Sequence, residues 1–130
     1  MLPFSLTFRS GIPVHDQVVY AVKKAVVSGR LRPGDPFPSV RAMSQHLRIN
    51  PNTAQKVVAT LTGQGLLEVR PGIGTFVARG SASSAAQRRA LLSDEVERLV
   101  VEAKKLSLEV EDLTEAVRDH WTRLSAFPGR

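Results

Sequence analysis

The segment INPNTAQKVV, residues 49–58, begins with residue types that favour turns and continues with apolar residues at helical spacing. Asn50 can cap the free backbone amides of a first helical turn. Pro51 suits the first helical position, because the N–H that proline lacks would have no partner there. The segment therefore predicts a helix that begins sharply and runs to about Gln64, where Gly65 stops it. Its predicted buried side chains are Ala54, Val57, Val58 and Leu61.

The sequence before this helix predicts two more helices and a helix-turn-helix. Pro13 suits a first helical turn, and apolar residues recur at helical spacing until Gly29. Those residues are Val14, Val18, Val22, Ala25 and Val26. Ser39 is placed to cap a second helix, and the short segment LRIN separates that helix from the third, as a helix-turn-helix requires. The inward residues predicted for the second helix are Val40, Met43 and Leu47.

A β-hairpin is predicted after the third helix. LLEVR (66–70) and TFVAR (75–79) are β-prone and flank the turn sequence PGIG (71–74). Three helices followed by a hairpin form a winged helix-turn-helix. The predicted fold class is therefore mainly α with a small β-hairpin.

Two further segments lie outside these elements. PFSLTF (3–8) predicts a short edge strand, because Phe4, Leu6 and Phe8 alternate with smaller or polar residues. GRLRPGDPFP (29–38) predicts a loop, because prolines and glycines punctuate it.

Charge and composition divide the chain near residue 80. Residues 1–79 contain ten Lys and Arg against three Asp and Glu, whereas residues 80–130 contain eight against nine. The segment RGSASSAAQRR (79–89) marks the border and is typical of a linker or of the loose start of a helix. A basic module favours a polyanionic partner, although a solvated surface with excess Lys and Arg is an alternative. Together with the helix-turn-helix before the border, this predicts a DNA-binding domain in residues 1–79, followed by a helical segment in residues 80–130.

The sequence does not indicate a membrane protein, a secreted protein, a metal-binding protein or an enzyme. The chain has no cysteine, no apolar run long enough for a membrane span and no signal-peptide pattern, so a cytoplasmic protein is expected. His15, His46 and His120 are far apart, and we expect neither a metal nor another cofactor. No nucleophile, base and orienting residue can be grouped from the sequence, so an enzyme is not expected.

The start of the third helix carries the candidate DNA-binding residues. Asn52, Thr53, Gln55 and Lys56 point away from the buried stripe, and their side chains are of the kinds that contact base edges and phosphates. Each of the turn-like residues could instead serve only to begin a helix. The surrounding candidates are Ser39, Arg41, Asn50 and Arg70, with Gly72 and Gly74, which either make the turn or let the backbone approach a groove.

These residues resemble the DNA-binding domain of the GntR family of bacterial transcriptional regulators. The shared pieces are G-x-L-x-P-G at 29–34, P-S-V-R at 38–41, N-P-N-T at 50–53 and G-x-G-T-F-V at 72–77. The likeness is close over the first 80 residues. Over the whole chain it extends in outline to the short YtrA-type subfamily.

The resemblance implies roles for particular residues. It implies operator contacts from Arg41, Asn52 and Thr53, and phosphate or base contacts from Gln55 and Lys56. It also places the wing tip, Gly72 to Thr75, near the minor groove. Many family members have arginine where this chain has Pro51 and Gln55, which implies a different base preference. Phe37 stands where leucine is commoner, and this change is expected to affect packing alone.

The C-terminal segment carries an apolar stripe with steps of three and four residues. Its predicted interface residues are Leu92, Val96, Leu99, Ala103, Leu106, Val110, Leu113 and Val117, and Leu124 continues the stripe. The stripe predicts a seam for another helix, although a helix packed on its own N-terminal domain is an alternative. KKLSLEVEDL (104–113) predicts a break between two helices, and the resemblance implies that both pair with a second subunit.

The expected function is a homodimeric, sequence-specific DNA-binding transcription regulator, with repression as the expected mode and a pseudo-palindromic operator as its partner. The alternative is a winged-helix adaptor that binds proteins, and a metal-dependent enzyme is more distant. Two helices hardly enclose a metabolite pocket, so any small-molecule effector would bind between subunits or modules. Nothing in the sequence identifies such an effector.

Overall fold

Three helices form the N-terminal unit of the computed structural model, which describes residues 2–80 and 84–125. They are α1 (Val14–Val27), α2 (Val40–Leu47) and α3 (Pro51–Gly63). Ser39 caps α2 as predicted, since its hydroxyl oxygen accepts a hydrogen bond of 3.0 Å from the Ala42 amide. Gly65 follows α3 with a φ of 79°, a backbone conformation that favours glycine and ends the helix.

The predicted inward faces of these helices form one apolar core. The fully enclosed side chains of this core include Val18, Val22, Leu31, Met43, Ala54, Val57, Leu61 and Val77. Val26, Val40, Leu47 and Val58 are partly buried against it. Val14, the first residue of the apolar pattern in α1, is exposed. Its position in the first turn of α1 lies at the edge of the core, where the neighbouring His15 contacts α3 instead.

A three-stranded antiparallel sheet packs beside the helices. Its strands are β1 (Pro36–Phe37), β2 (Leu67–Arg70) and β3 (Gly74–Val77), in the order β1-β3-β2. β2 and β3 form the predicted hairpin, with Leu67 opposite Val77. β1 pairs with the other side of β3, so the prediction of a loop throughout 29–38 is wrong at Pro36 and Phe37. Proline is tolerated in β1 because an edge strand does not need every backbone donor.

The N-terminal segment PFSLTF is not a strand, and this prediction is wrong. Phe4 is buried and stacks on Phe37 with ring centroids 6.1 Å apart. The buried Gln17 side chain accepts from the Arg9 amide at 2.9 Å and donates to the Arg9 carbonyl at 2.8 Å. Leu6 is partly buried against the core, whereas Phe8 is exposed, so the alternation does not mark a strand. The Gln17 side chain of α1 binds the backbone just after the segment.

The second unit is helical. It contains α4 (Ala85–Arg89), a π-helical stretch (Ala90–Glu95), α5 (Val96–Lys105) and α6 (Val110–Ser125). Ser84 and Gln87 form a reciprocal capping box at the start of α4. The predicted break between two helices is confirmed: Ser107 has a φ of 61°, and the Asp112 carboxylate accepts from the Glu109 amide at 2.8 Å. In the described parts of the chain, no helix has the length and apolarity needed to cross a bilayer.

Candidate nucleic-acid interface

The turn between α2 and α3 has the length that a helix-turn-helix requires. It consists of Arg48, Ile49 and Asn50. The Asn50 side-chain oxygen accepts from the Asn52 amide at 2.7 Å, and the Ala54 amide bonds to the Asn50 carbonyl at 3.0 Å. Pro51 occupies the first helical position. The predicted division is therefore confirmed for the helix start: Asn50 caps it and Pro51 initiates it.

We expect the substitution Asn50→Ala to lower the free energy of unfolding by about 1 kcal/mol, because the Asn52 amide loses its acceptor. Asn50→Ser should restore most of this stability, since serine caps helices as well as asparagine does. Thermal and denaturant unfolding of the three proteins measure the difference. Equal stability of all three would contradict the capping role.

The first two turns of α3 present a polar edge opposite the core. Asn52, Gln55 and Lys56 are exposed and Thr53 is half-buried, whereas Ala54 and Val57 on the other side are completely enclosed. Arg41 is exposed in the first turn of α2. Among the residues that the structure describes, the side chains of Arg41 and Lys56 make no ion pair. Both cations are therefore available to phosphate groups.

The wing is a tight turn on a fixed base. Arg70 is half-buried, and its Nε donates to the Glu68 carboxylate at 3.0 Å while its guanidinium lies 4.1 Å from the centre of the Phe76 ring. Gly72 and Gly74 are exposed and have φ values of 75° and 149°. A Cβ at Gly72 would meet nothing within 4 Å, so the requirement there is conformational. Arg70 thus holds the base of the wing rather than projecting freely.

The wing tip also exposes an apolar residue that was not among the predicted site residues. Ile73 lies between the two glycines with 73% of its surface exposed, and its amide bonds to the Arg70 carbonyl at 2.9 Å. Thr75 is half-buried in β3, opposite Val69. Because turns are usually polar, the isoleucine in the turn sequence PGIG could have marked this position as a candidate site residue.

His15 has a structural position that the sequence did not indicate. Its Nε2 lies 2.8 Å from the Thr60 hydroxyl, and its Nδ1 lies 3.0 Å from the Asp16 carboxylate. The first contact joins α1 to α3 across 45 positions of sequence. His46 and His120 are exposed. In residues 2–80 and 84–125, no three histidine and acidic side chains are grouped as metal ligands would be.

The predicted subunit seam lies on one side of each C-terminal helix. Its exposed members are Leu92, Val96, Leu99, Leu106, Val110 and Val117, whereas Leu113 and Leu124 are half-buried and Ala103 is buried. Trp121 was omitted from the prediction, although it follows Val117 by four residues and precedes Leu124 by three. It is 74% exposed and enlarges the same face. No residue of α6 is buried.

The chain is similar in sequence to bacterial transcriptional regulators of one family. The sequence profile of the bacterial regulatory proteins of the gntR family matches residues 14–77, which span the three helices and the hairpin. The chain is 32% identical over 111 residues to the HTH-type transcriptional regulator YhcF of Bacillus subtilis, covering 85% of this chain and 92% of YhcF. It is 27% identical over 112 residues to the HTH-type transcriptional repressor YtrA of Bacillus subtilis, covering 85% and 86%.

Two solved structures show the same architecture. A transcriptional antiterminator from Listeria monocytogenes EGD-e superposes with a TM-score of 0.84 at 23% identity, covering 97% of each chain. The DNA-binding domain of AraR, solved in complex with operator ORX1, superposes with a TM-score of 0.52 at 26% identity, covering 57% of this chain and 95% of that one. The predicted fold class is confirmed by these likenesses.

Proposed function

The chain belongs to the GntR family and is a sequence-specific DNA-binding transcriptional regulator, and we propose that it acts as a cytoplasmic homodimeric repressor on a pseudo-palindromic operator. Residues 1–79 supply the DNA-binding domain in this proposal, and residues 80–130 supply the dimerisation segment. The observation that carries it is the polar, exposed edge at the start of α3, beside two cations that have no ion-pair partner among the described residues.

In this proposal α3 enters the major groove by its N-terminal turns. Asn52, Thr53 and Gln55 contact base edges, because amide and hydroxyl groups can match the donor and acceptor patterns that distinguish base pairs there. Arg41 and Lys56 contact phosphates on either side of the groove and fix the register of the helix. The helix starts of α2 and α3, at Ser39 and Asn50, contribute backbone amides near the phosphates.

The wing contacts the adjacent minor groove in the same proposal. Gly72 and Gly74 let the backbone of the tip come close to the sugar-phosphate edge, and Thr75 follows at the start of β3. Arg70 supports this approach through its contacts with Glu68 and Phe76. The Glu68 carboxylate largely neutralises the charge of Arg70, so its role in this proposal is to hold the wing in position.

A second copy of the chain covers the exposed apolar face of the C-terminal helices. Seven large apolar side chains of this face have at least 40% of their surface exposed, namely Leu92, Val96, Leu99, Leu106, Val110, Val117 and Trp121. Water-exposed patches of this extent are typical of interfaces, and the steps of three and four residues suit pairing with helices. A two-fold dimer then presents two DNA-binding domains related by symmetry, which matches the two half-sites of a pseudo-palindromic operator.

Repression is supported by the relative YtrA, which is described as a repressor. A regulator whose operator overlaps a promoter blocks transcription by excluding the polymerase, and it needs no further activity for that effect.

Selection of genomic DNA fragments by the purified full-length protein tests the proposal. We expect one family of fragments that share two inverted half-sites, with their centres about 10 base pairs or a multiple apart. Affinity for a recovered fragment should fall steeply with salt, by a slope of about 0.9 in log K for each phosphate contact. Recovery of unrelated sequences, or binding that is independent of salt, would contradict the proposal.

A further inference from the structure

The backbone of Arg48 is in a conformation that its residue type disfavours. Arg48 follows the last residue of α2 with φ 55° and ψ 48°, in the left-handed helical region. Its Cβ is crowded by the neighbouring carbonyl in this region, so glycine, and less often asparagine, normally occupies such a position. The Ile49 amide bonds to the Ser44 carbonyl at 3.1 Å and keeps the turn in place. Glycine would suit this position better than arginine.

The surroundings of the side chain do not explain the arginine. Arg48 is exposed, and its side chain makes no hydrogen bond or ion pair within the part of the chain that the structure describes. Burial and internal contacts therefore give no stabilisation that would offset the backbone strain. A strained residue without a stabilising contact points to a role outside the folded monomer.

The position of Arg48 indicates what that role is. It lies two residues before Asn50, the cap of α3, and so within about 7 Å of the start of the recognition helix along the chain. A helix that enters the major groove by its N-terminus has phosphates beside its first turn. Arginine is suited to such a phosphate because its guanidinium donates two parallel hydrogen bonds.

We propose that Arg48 is a phosphate-contacting residue that anchors the helix-turn-helix on the DNA backbone. The inference rests on the proposed DNA surface and adds a residue that neither the family resemblance nor the pattern of the sequence assigned to it. The chain retains a strained backbone in the turn because the arginine side chain stabilises the complex with DNA. The contact carries no base preference, since phosphates are common to every sequence.

The decisive experiment compares stability and DNA binding in the same variants. Arg48→Gly should raise the melting temperature by about 3 °C, because the strain is relieved. The same variant should bind an operator fragment about tenfold more weakly, with a log K salt slope reduced by about 1.8 for the two subunits of a dimer. Arg48→Asn should behave similarly, since asparagine tolerates this conformation and carries no charge. Arg48→Lys should keep the charge, the strain and most of the affinity.

Ser107 provides a matched control. It has a φ of 61° between α5 and α6, in the unit that is not proposed to touch DNA. Ser107→Gly should raise the melting temperature while leaving DNA affinity unchanged. A gain in stability with loss of affinity at residue 48, and without loss at residue 107, supports the proposal.

Two results would overturn the inference. One is that Arg48→Gly and Arg48→Asn both lower the melting temperature, since the arginine would then stabilise the fold itself. The other is that both variants bind operator and scrambled duplexes as tightly as the wild type. If the wild type itself does not distinguish operator from scrambled duplex, the sequence-specific function fails instead, and the two failures are thus distinguishable.

Discussion

The double substitution Arg41→Ala, Lys56→Ala is expected to weaken operator binding by about 100-fold or more near physiological salt, while folding and dimerisation remain intact. A dimer would lose four phosphate contacts, so the log K salt slope should become less steep by about 3.6. Both side chains are exposed and make no ion pair among the described residues, so the free energy of unfolding should change by less than about 0.5 kcal/mol for each. Fluorescence anisotropy with labelled operator at several salt concentrations measures the effect.

Lys104→Ala, Lys105→Ala is the matched control for this experiment. It removes the same net charge from the last turn of α5, in the unit assigned to dimerisation. If binding depended only on the net charge of the protein, both double variants would lose affinity equally, and the assignment of Arg41 and Lys56 to the interface would be wrong. Unfolding of the Arg41, Lys56 variant would contradict it as well, because surface residues that only contact DNA do not hold the fold together.

Local chemistry made much of the candidate site predictable. The capping of α3 by Asn50 and its start at Pro51 depend on residues within three positions of each other, and the structure has both. The hairpin around Gly72 and Gly74 was likewise predictable from the sequence, because the turn requires backbone conformations that glycine adopts easily. The inward faces of the helices followed from periodicity.

Contacts between distant segments were not predictable in the same way. Pro36 and Phe37 become a strand only because β3 offers a free edge some 40 residues later. Residues 3–8 do not join this sheet, and Phe4 packs on Phe37 instead. The contact between His15 and Thr60 was also not predictable from the local sequence, because 45 positions separate the two residues. The left-handed backbone of Arg48 was not predicted, because this position lacks the glycine that usually marks such a conformation.

The substitution Val117→Asp is expected to raise the dimer dissociation constant by at least about 100-fold, because two carboxylates would be taken from water into an apolar seam without partners. Val117 is 51% exposed on α6, so the folded monomer should tolerate the change. Sedimentation equilibrium measures the dissociation constant. Operator binding should weaken in parallel and become sensitive to protein concentration. Separate monomers bind the two half-sites independently and lose the added affinity that a dimer gains by binding both at once.

Val101 supplies the control that separates a specific seam from a general effect of charge on these helices. It is 58% exposed, close to the exposure of Val117, and it lies on α5 about half a turn away from the side that carries Leu99 and Ala103. Val101→Asp therefore places the same charge on a side that pairing helices leave in water, and dimerisation should be unchanged. If both substitutions dissociated the dimer equally, the stripe would not be the interface. If neither did, the second copy would be held by surfaces outside it, and the exposed face would need a different partner.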